Sequence, residues 1–275
     1  MTFFRKILGP AQNKPSELPH IEGEQLYCNY FEKTPNWGDS INKYLLERIS
    51  GKDIKVDSGR QHILGVGSIL RQANSNSIVW GSGFISKKGN IKCKPLKVCA
   101  VRGPLTRKLL RKKKIDAPEV YGDPALLMPR FYFPNIEKQY TLGVVPHYRD
   151  KDHPLLKKLA SEGAKILDIS KSSEAFIDDL LECKNVISSS LHGLIASDSY
   201  GIPNQWVKFS NELTGGGFKF QDYYHSIEQY EQRPIPVEEL TNMSLTDIVH
   251  RCQLKPITLD LDKLLQAFPA AERQK

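Results

Sequence analysis

The sequence of 275 residues has few cysteines and no long apolar run. No stretch approaches the roughly 20 apolar residues of a membrane-spanning helix, so such a helix is not predicted. The five cysteines are an odd number without a CxxC pair, which argues against a disulfide framework and a thiolate zinc site. The first residues contain no apolar core of signal-peptide length. We therefore expect a cytoplasmic protein with reduced cysteines.

Acidic residues are missing from one long stretch. The net charge is +8, from 39 basic and 31 acidic residues. Residues 87–114 contain twelve lysines or arginines and no aspartate or glutamate. Such a stretch attracts anions, for example phosphate groups or the inner face of an anionic membrane, and the alternative is a solvated helix surface. It lacks interleaved aromatics and a recognition motif, so we expect no nucleic-acid partner.

Short apolar runs alternate with amphipathic segments, which is typical of parallel α/β sheets. The segment 128–139 has two prolines and no periodicity, and it predicts a linker. We expect two Rossmann-like α/β domains, residues 1–137 and 138–275, with a cleft between them. The predicted strands are 26–30, 62–66, 78–80, 98–101, 141–146, 165–169, 185–188 and 204–207. The predicted helices are 40–49, 104–110, 153–161, 173–182 and 191–200.

Several polar side chains follow predicted strands, where open α/β sheets bind ligands. Asn36 and Asp39 precede the first helix, where Asp39 is either an N-cap or a group that contacts a sugar hydroxyl or acts as a base. Asp123 stands before a proline, and we favour a structural helix start for it. The turns that begin at Gly65 and Gly81 lack the third glycine of GxGxxG, which argues against a dinucleotide cofactor.

The segment Ser188-Ser189-Ser190-Leu191-His192-Gly193 places three hydroxyls and a histidine between a strand and an apolar helix. Imidazole exchanges protons near neutral pH, so this setting favours a catalytic His192 over a half-buried structural one. Arg102 stands at another strand end, where it either grips an anion or forms a surface ion pair.

Two further segments carry cations. His147, Tyr148 and Arg149 follow a predicted strand and are expected to line the same cleft. Gly215, Gly216 and Gly217 precede Lys219, and we interpret this segment as a lid that brings Lys219 to an anion; a mobile surface loop is the alternative.

The motifs NWGDSINKYL, GVGSIL, WGSGF, AVRGPLTRKLL, YGDPALL, VPHYRD and ISSSLHGLIASDSYGIP together resemble the polysaccharide pyruvyltransferases, most closely their bacterial exopolysaccharide branch. The resemblance covers residues 26–230. It implies transfer of pyruvate from phosphoenolpyruvate to a sugar, with formation of a cyclic ketal and release of phosphate. It also implies the two-Rossmann arrangement of GT-B glycosyltransferases.

The resemblance implies roles for individual residues. Arg102 matches a donor-binding arginine, and His192 matches the histidine of the family's Arg-Leu-His motif. Ser190 replaces the arginine of that motif. The contact with phosphoenolpyruvate that the arginine would make is therefore expected from another group. The candidates for the donor site are Ser190, His147, Arg149 and Lys219, with Lys208 as the competing lysine.

The expected chemistry uses His192 as the acid and Asp39 as the base, with Asn36 and Asp39 at the acceptor. The scheme requires neither metal nor cofactor, and phosphoenolpyruvate is a substrate. The acceptor sugar is either free or lipid-linked, and peripheral contact with an anionic membrane is expected. A GT-B nucleotide-sugar glycosyltransferase is the alternative function.

Overall fold

Two parallel β-sheets form the framework of the protein. The computed structural model describes residues 25–31, 34–210 and 215–269. The first sheet consists of β1 (Gln25–Cys28), β2 (Asp53–Val56), β3 (His62–Leu64), β4 (Ser77–Trp80) and β5 (Lys97–Ala100). The second sheet consists of β6 (Tyr140–Val145), β7 (Lys165–Ile166), β8 (Cys183–Ser188), β9 (Asn204–Lys208) and β10 (Ile235–Pro236).

The two sheets have the same topology. The strand order is β2-β1-β3-β4-β5 in the first and, from its opposite edge, β7-β6-β8-β9-β10 in the second. All pairs of these strands are parallel. Counted within its own half, each sheet therefore has the order 2-1-3-4-5 of a doubly wound fold. The prediction of two Rossmann-like α/β units is confirmed.

Helices connect and cover the strands. The described helices are α1 (Trp37–Ser50), α2 (Pro104–Lys112), α3 (Pro154–Ser161), α4 (Ser173–Leu181), α5 (Leu191–Ser199), α6 (Phe218–Ser226), α7 (Val237–Thr241), α8 (Leu245–Arg251) and α9 (Leu261–Gln266). Two 3₁₀ helices, Leu70–Gln72 and Pro124–Arg130, follow β3 and β5 along the chain. We call the first sheet with α1 and α2 the first domain, and the second sheet with α3 to α8 the second domain.

The predicted strands and helices are present with small shifts at their ends. β2 was missed because three of its four side chains are exposed, so it lacks an apolar run. α6 was missed because its buried residues are aromatic and polar rather than aliphatic. The boundary at residue 137 stays a prediction; it falls between β5 and β6, and residues 1–24 and 270–275 lie outside the described residues.

One apolar cluster joins the two domains. Trp37 and Ile41 of α1 lie in the same cluster as Phe176 of α4 and Leu194 of α5. The Trp37 indole donates to the Ser173 carbonyl at 3.0 Å, which ties the start of α1 to the start of α4. Because the shared surface is continuous core, the cleft lies between domains that are packed together along one side.

A buried ion pair joins the domains at a second place. Arg102, after β5, has no exposed surface, and its Nη2 lies 3.0 Å from Oδ2 of Asp222 on α6. The N-cap of α2 is Gly103, which has no side chain to accept a hydrogen bond. Asp222 accepts the backbone N–H of Thr106 at 2.8 Å and its hydroxyl at 2.6 Å. A carboxylate of the second domain therefore caps a helix of the first.

The C-terminal segment returns to the first domain. Lys255 is buried in the second domain, where its ammonium donates to the Asn204 carbonyl at 2.7 Å. Further along, Trp80 of β4 donates its indole N–H to the Leu264 carbonyl at 2.9 Å, and the Phe268 ring packs edge-on against Trp80. Residues 255–268, which we call the strap, thus connect the second domain to the first sheet.

Removal of the Asp222 carboxylate is expected to destabilise the protein strongly. Asp222→Ala leaves the Arg102 guanidinium buried without its partner and uncaps α2, and breaking such a pair costs about 3–5 kcal/mol. Urea unfolding measures the change. Asp262→Ala, which breaks the exposed ion pair to Arg130, is the control and should change stability by less than about 1 kcal/mol. Equal losses in the two variants would contradict this interpretation of the buried pair.

Candidate active site

The cleft collects polar side chains from the carboxyl ends of strands in both sheets. The segment after β1 supplies Asn36 and Asp39, and the segment after β6 supplies His147 and Arg149. The segment after β8 leads directly into α5, which carries His192. The ends of parallel strands meet at one edge of each sheet, and the two edges face each other across the cleft.

Asn36 caps α1 and holds Asp39 at the cleft. The Asn36 Oδ1 accepts the backbone N–H of Gly38 at 3.1 Å, so the alternative of Asp39 as N-cap is wrong. The Asn36 amide donates instead to the Asp39 carboxylate. Burial raises the pKa of Asp39 to about 6, although His192, the Asn36 hydrogen bond and Lys219 lower it in part. Such a carboxyl exchanges protons near neutral pH, as a general base must.

His192 is wedged between two elements of the first domain. A Cβ atom on Gly38 would lie 1.7 Å from the His192 Nδ1, so only glycine leaves room for the imidazole. On the other side, Nε2 lies 3.6 Å from Oδ2 of Asp123. Both of these atoms are buried and have no hydrogen-bond partner among the described residues. The imidazole is thus placed by packing, and its Nε2 lies beside the Asp123 carboxylate without a hydrogen bond to any described residue.

Asp123 has two roles. Its Oδ1 accepts the backbone N–H of Ala125 at 3.1 Å, so the predicted structural helix start is present. Its Oδ2 faces His192, which the sequence did not predict. A carboxylate beside an imidazole stabilises the protonated ring and orients it. An aspartate followed by a proline is typical of a helix start. The sequence therefore predicted the structural role of Asp123 but not its contact with His192.

The three serines after β8 shape the backbone that delivers His192. The Ser188 hydroxyl donates to the Val145 carbonyl at 2.9 Å, and Ser189 donates to the Asp150 carboxylate at 2.7 Å. Ser190 is buried at the N-cap of α5 without a side-chain capping bond. A Cβ atom on Gly193 would lie 2.4 Å from the Ser188 Oγ, so this glycine permits the close approach of α5 to β8.

His147 lies in the cleft as a neutral ring. Its backbone N–H donates to the Ser189 hydroxyl at 2.8 Å, and its Nδ1 accepts the backbone N–H of Arg149 at 3.4 Å. The proton of the neutral ring is therefore on Nε2. Burial, assisted by the nearby charge of Lys219, lowers the pKa of His147 to about 4. At neutral pH this residue supplies a hydrogen-bond donor and no charge, whereas the exposed Arg149 carries a permanent charge.

Lys219 is the half-buried cation between the two domains. It lies in the first turn of α6, so its position is helical and not in a surface loop, and movement of this segment as a lid stays a prediction. The three preceding glycines all have positive φ, which makes them a shaped turn. Burial lowers the pKa of Lys219 to about 8, and the repulsion from Arg102 and Arg149 adds to that effect. Asp39 and Asp150 partly offset it.

The guanidinium of Arg102 is largely committed to the protein. Besides the Asp222 pair, its Nη1 donates to the Ser68 hydroxyl at 2.6 Å and its Nη2 to the Phe84 carbonyl at 2.7 Å. The alternative of a surface ion pair is wrong, because the pair is buried. The donor-binding roles of Arg102 and Ser190 stay predictions. No pattern in the sequence points to Asp222, which follows the glycine run by several residues and pairs with Arg102 across the domains.

The remaining expectations concern metals, membranes and the basic stretch. Within the described ranges, no three His, Cys, Asp or Glu side chains are grouped closely enough to hold a metal ion. None of the helices in that part of the chain is long and apolar enough to cross a bilayer. In the basic stretch, Arg107 forms a 2.7 Å ion pair with Glu119, while Lys108, Arg111 and Lys112 are exposed on α2. Contact with an anionic membrane stays a prediction.

Comparison with known proteins identifies the family. The family model described as polysaccharide pyruvyl transferase matches residues 25–208. The chain belongs to this family. The matched range contains Asp39, Arg102, Asp123 and His192, and it ends before α6 with Lys219 and Asp222. The family confirms the resemblance drawn from the sequence motifs.

Two known proteins are similar to this chain. An uncharacterized protein of Acanthamoeba polyphaga mimivirus is 30% identical over 263 residues, which cover 89% of this chain and 88% of that protein. The succinoglycan biosynthesis protein ExoV of Rhizobium meliloti (strain 1021) is 26% identical over 216 residues, which cover 74% of this chain and 65% of that protein. Family membership supports pyruvyl transfer to a polysaccharide as the general activity.

The packing of Gly38 against the imidazole predicts a sensitive position. Gly38→Ala must displace His192, because the added Cβ atom overlaps the ring. A displacement of about 1 Å in a catalytic group costs on the order of 100-fold in rate. Transferase activity and urea unfolding should be measured together, with Lys43→Ala on the exposed side of α1 as the control. Full activity in a folded Gly38→Ala variant would contradict the wedged placement of His192.

Proposed function

We propose that the protein transfers pyruvate from phosphoenolpyruvate to a sugar of a polysaccharide or its precursor, forming a cyclic ketal and releasing phosphate. The observation that carries the proposal is the pairing of His192 with Asp123 at the bottom of a cleft that also contains Lys219, Arg149 and Asp39. The cleft thereby contains a proton donor, cations that can bind the anionic phosphoenolpyruvate, and a base for the hydroxyl groups of the acceptor. The family membership gives the reaction class.

The cleft contains cationic side chains and neutral hydrogen-bond donors, which are suited to binding phosphoenolpyruvate. The donor carries a carboxylate and a phosphate, and Lys219 and Arg149 lie close enough to each other to lower the pKa of Lys219. Two neighbouring cations that repel each other gain most from an anion placed between them. His147 adds a neutral Nε2–H, and the Ser190 hydroxyl lies at the start of α5, where the helix dipole favours negative charge.

His192 acts as the general acid in this scheme. Its Nε2 proton passes to the methylene carbon of phosphoenolpyruvate, which becomes a methyl group and leaves an oxocarbenium-like centre at the adjacent carbon. Asp123 stabilises the protonated imidazole before the transfer. In support of this role, Nε2 is buried beside the Asp123 carboxylate and has no hydrogen-bond partner among the described residues, so no protein group holds its proton in a hydrogen bond.

Asp39 acts as the general base. One sugar hydroxyl bonds to the oxocarbenium carbon and loses its proton to Asp39, and a second hydroxyl of the same sugar displaces phosphate to close the ketal. Of the two protons lost from the hydroxyls, one replaces the proton given by His192 and the other leaves with the phosphate. Asn36 holds the Asp39 carboxylate in place and shares its contact with the acceptor.

The proposal also covers the cofactor requirement and the cellular location of the protein. The reaction as written balances without a metal ion or an organic cofactor. The acceptor is a free or lipid-linked sugar, and the protein acts in the cytoplasm. Reversible contact of the basic stretch with the inner face of a membrane would bring the enzyme to a lipid-linked acceptor.

Incubation with phosphoenolpyruvate and a panel of glycosides tests the reaction. We expect a mass gain of one pyruvyl ketal on a glycoside, with release of one phosphate. His192→Ala should lower the rate by about 100- to 10,000-fold, the usual range for a general acid. Asp123→Asn should also lower the rate, because the amide cannot stabilise the protonated ring.

The exposed Asp116→Asn serves as a matched control and should retain the full rate. A folded His192→Ala variant with near-normal turnover overturns the role of His192. Consumption of a nucleotide sugar, with no use of phosphoenolpyruvate, would identify a glycosyltransferase instead.

The pKa shifts predict a bell-shaped pH profile. Asp39 must be ionised to accept a proton, so the acidic limb of the rate should rise with pH with a midpoint at about 6. Lys219 must be protonated to bind the donor, so the rate should fall above about 8. Lys219→Arg should move the basic limb to higher pH, because a guanidinium stays protonated throughout this range. A basic limb that stays at the same pH in Lys219→Arg would show that another group titrates there.

A further inference from the structure

A recess beside the cleft has a lining that the proposed reaction does not use. It has a volume of about 310 Å³ and lies in the first domain, between the turn after β3 and the segment after β4. Gly215 closes it from the second domain, with its backbone so near the Ile85 carbonyl that a Cβ atom would lie 1.9 Å from that oxygen. The lining residues are Ser68, Arg71, Phe84, Ile85, Ser86, Lys88, Asn90 and Gly215.

The lining has the composition of an anion site. Its described lining residues contribute two exposed cations, two hydroxyls and one amide, and no carboxylate is among them. In the part of the chain that the structure describes, no ion pair includes Arg71 or Lys88. By contrast, Arg107 in the same basic region is paired with Glu119. Two unpaired cations together with neutral donors favour a group of more than one negative charge, such as a phosphate.

The recess and the base share one turn. A Cβ atom on Gly67 would lie 3.8 Å from the Asp39 Oδ1, so Gly67 borders the cleft at the proposed base. Ser68, the next residue, lines the recess and is fixed by the 2.6 Å hydrogen bond from Arg102. A sugar whose hydroxyls meet Asp39 can therefore place a substituent in the recess across this turn.

We infer that the recess around Arg71 and Lys88 binds the phosphate or diphosphate group of a phosphorylated sugar acceptor. This inference rests on the proposed function, in which Asp39 receives the proton of the acceptor hydroxyl. The donor has its own cations in Lys219 and Arg149, on the side of the cleft where His147 lies. In this assignment the recess is a second anion site beside the donor site, and it selects acceptors that carry a phosphate ester.

Calorimetric titration with inorganic pyrophosphate tests the site without turnover. Arg71→Ala/Lys88→Ala should weaken pyrophosphate binding by about tenfold or more, the effect of losing charge-assisted hydrogen bonds. The control is Lys108→Ala/Lys112→Ala, which removes the same charge from two equally exposed positions of α2 outside the recess and should change binding less than about twofold. Circular dichroism confirms that both variants are folded. Phosphoenolpyruvate affinity should be unchanged in both.

Two further probes identify the source of the diphosphate. Uridine diphosphate and farnesyl diphosphate share the same charged group, and both should bind wild-type protein and lose affinity in Arg71→Ala/Lys88→Ala. The probe with the higher affinity shows whether a nucleotide or a lipid is attached to the diphosphate group.

Three outcomes overturn the inference: no pyrophosphate binding to the wild type, equal weakening in the control variant, or a loss of phosphoenolpyruvate affinity in Arg71→Ala/Lys88→Ala. The proposed function fails in a different way, by the absence of ketal on neutral and phosphorylated sugars alike, and that result leaves the pyrophosphate titration unchanged.

Discussion

The buried contact of Arg102 with Asp222 fixes the geometry on which the rest of the cleft depends. Asp222 caps α2 from another domain, and it lies one helical turn after Lys219 on α6. The same contact therefore sets the distance between the domains and the position of the central cation. A fully desolvated ion pair adds little net stability compared with apolar residues at the same positions. We interpret its role as selecting one relative placement of α2 and α6.

The catalytic candidates depend on this placement because no single domain contains the site. His192 comes from the second domain, whereas the glycine that admits its ring and the carboxylate that faces it come from the first. The apolar cluster around Trp37 holds the opposite side of the cleft. The site is thus preorganised by packing on one side and by a buried charge pair on the other, which suits stabilisation of a charged transition state.

The parts of the site that follow strands were predictable from the sequence. Parallel strands end at a common edge, so Asn36, Asp39, His147 and His192 were expected to meet, and the structure brings them together. Asp222 was not predictable, because its partner lies across the domains and nothing local in the sequence marks it. The sequence did not predict that the glycine run leads directly into a helix, because glycine is typical both of flexible loops and of turns with positive φ. Strand β2 was missed because a mostly exposed strand has no apolar pattern.

The strap formed by residues 255–268 has a consequence for the order in which the protein folds. Trp80 of the first sheet is covered by Leu264 and Phe268, which the ribosome makes almost two hundred residues later. The first domain therefore cannot complete its core while it emerges, although domains generally fold in the order of synthesis. Until Leu264 and Phe268 have left the ribosome, the Trp80 indole lacks these two contacts. We therefore expect the two domains to complete their folding together.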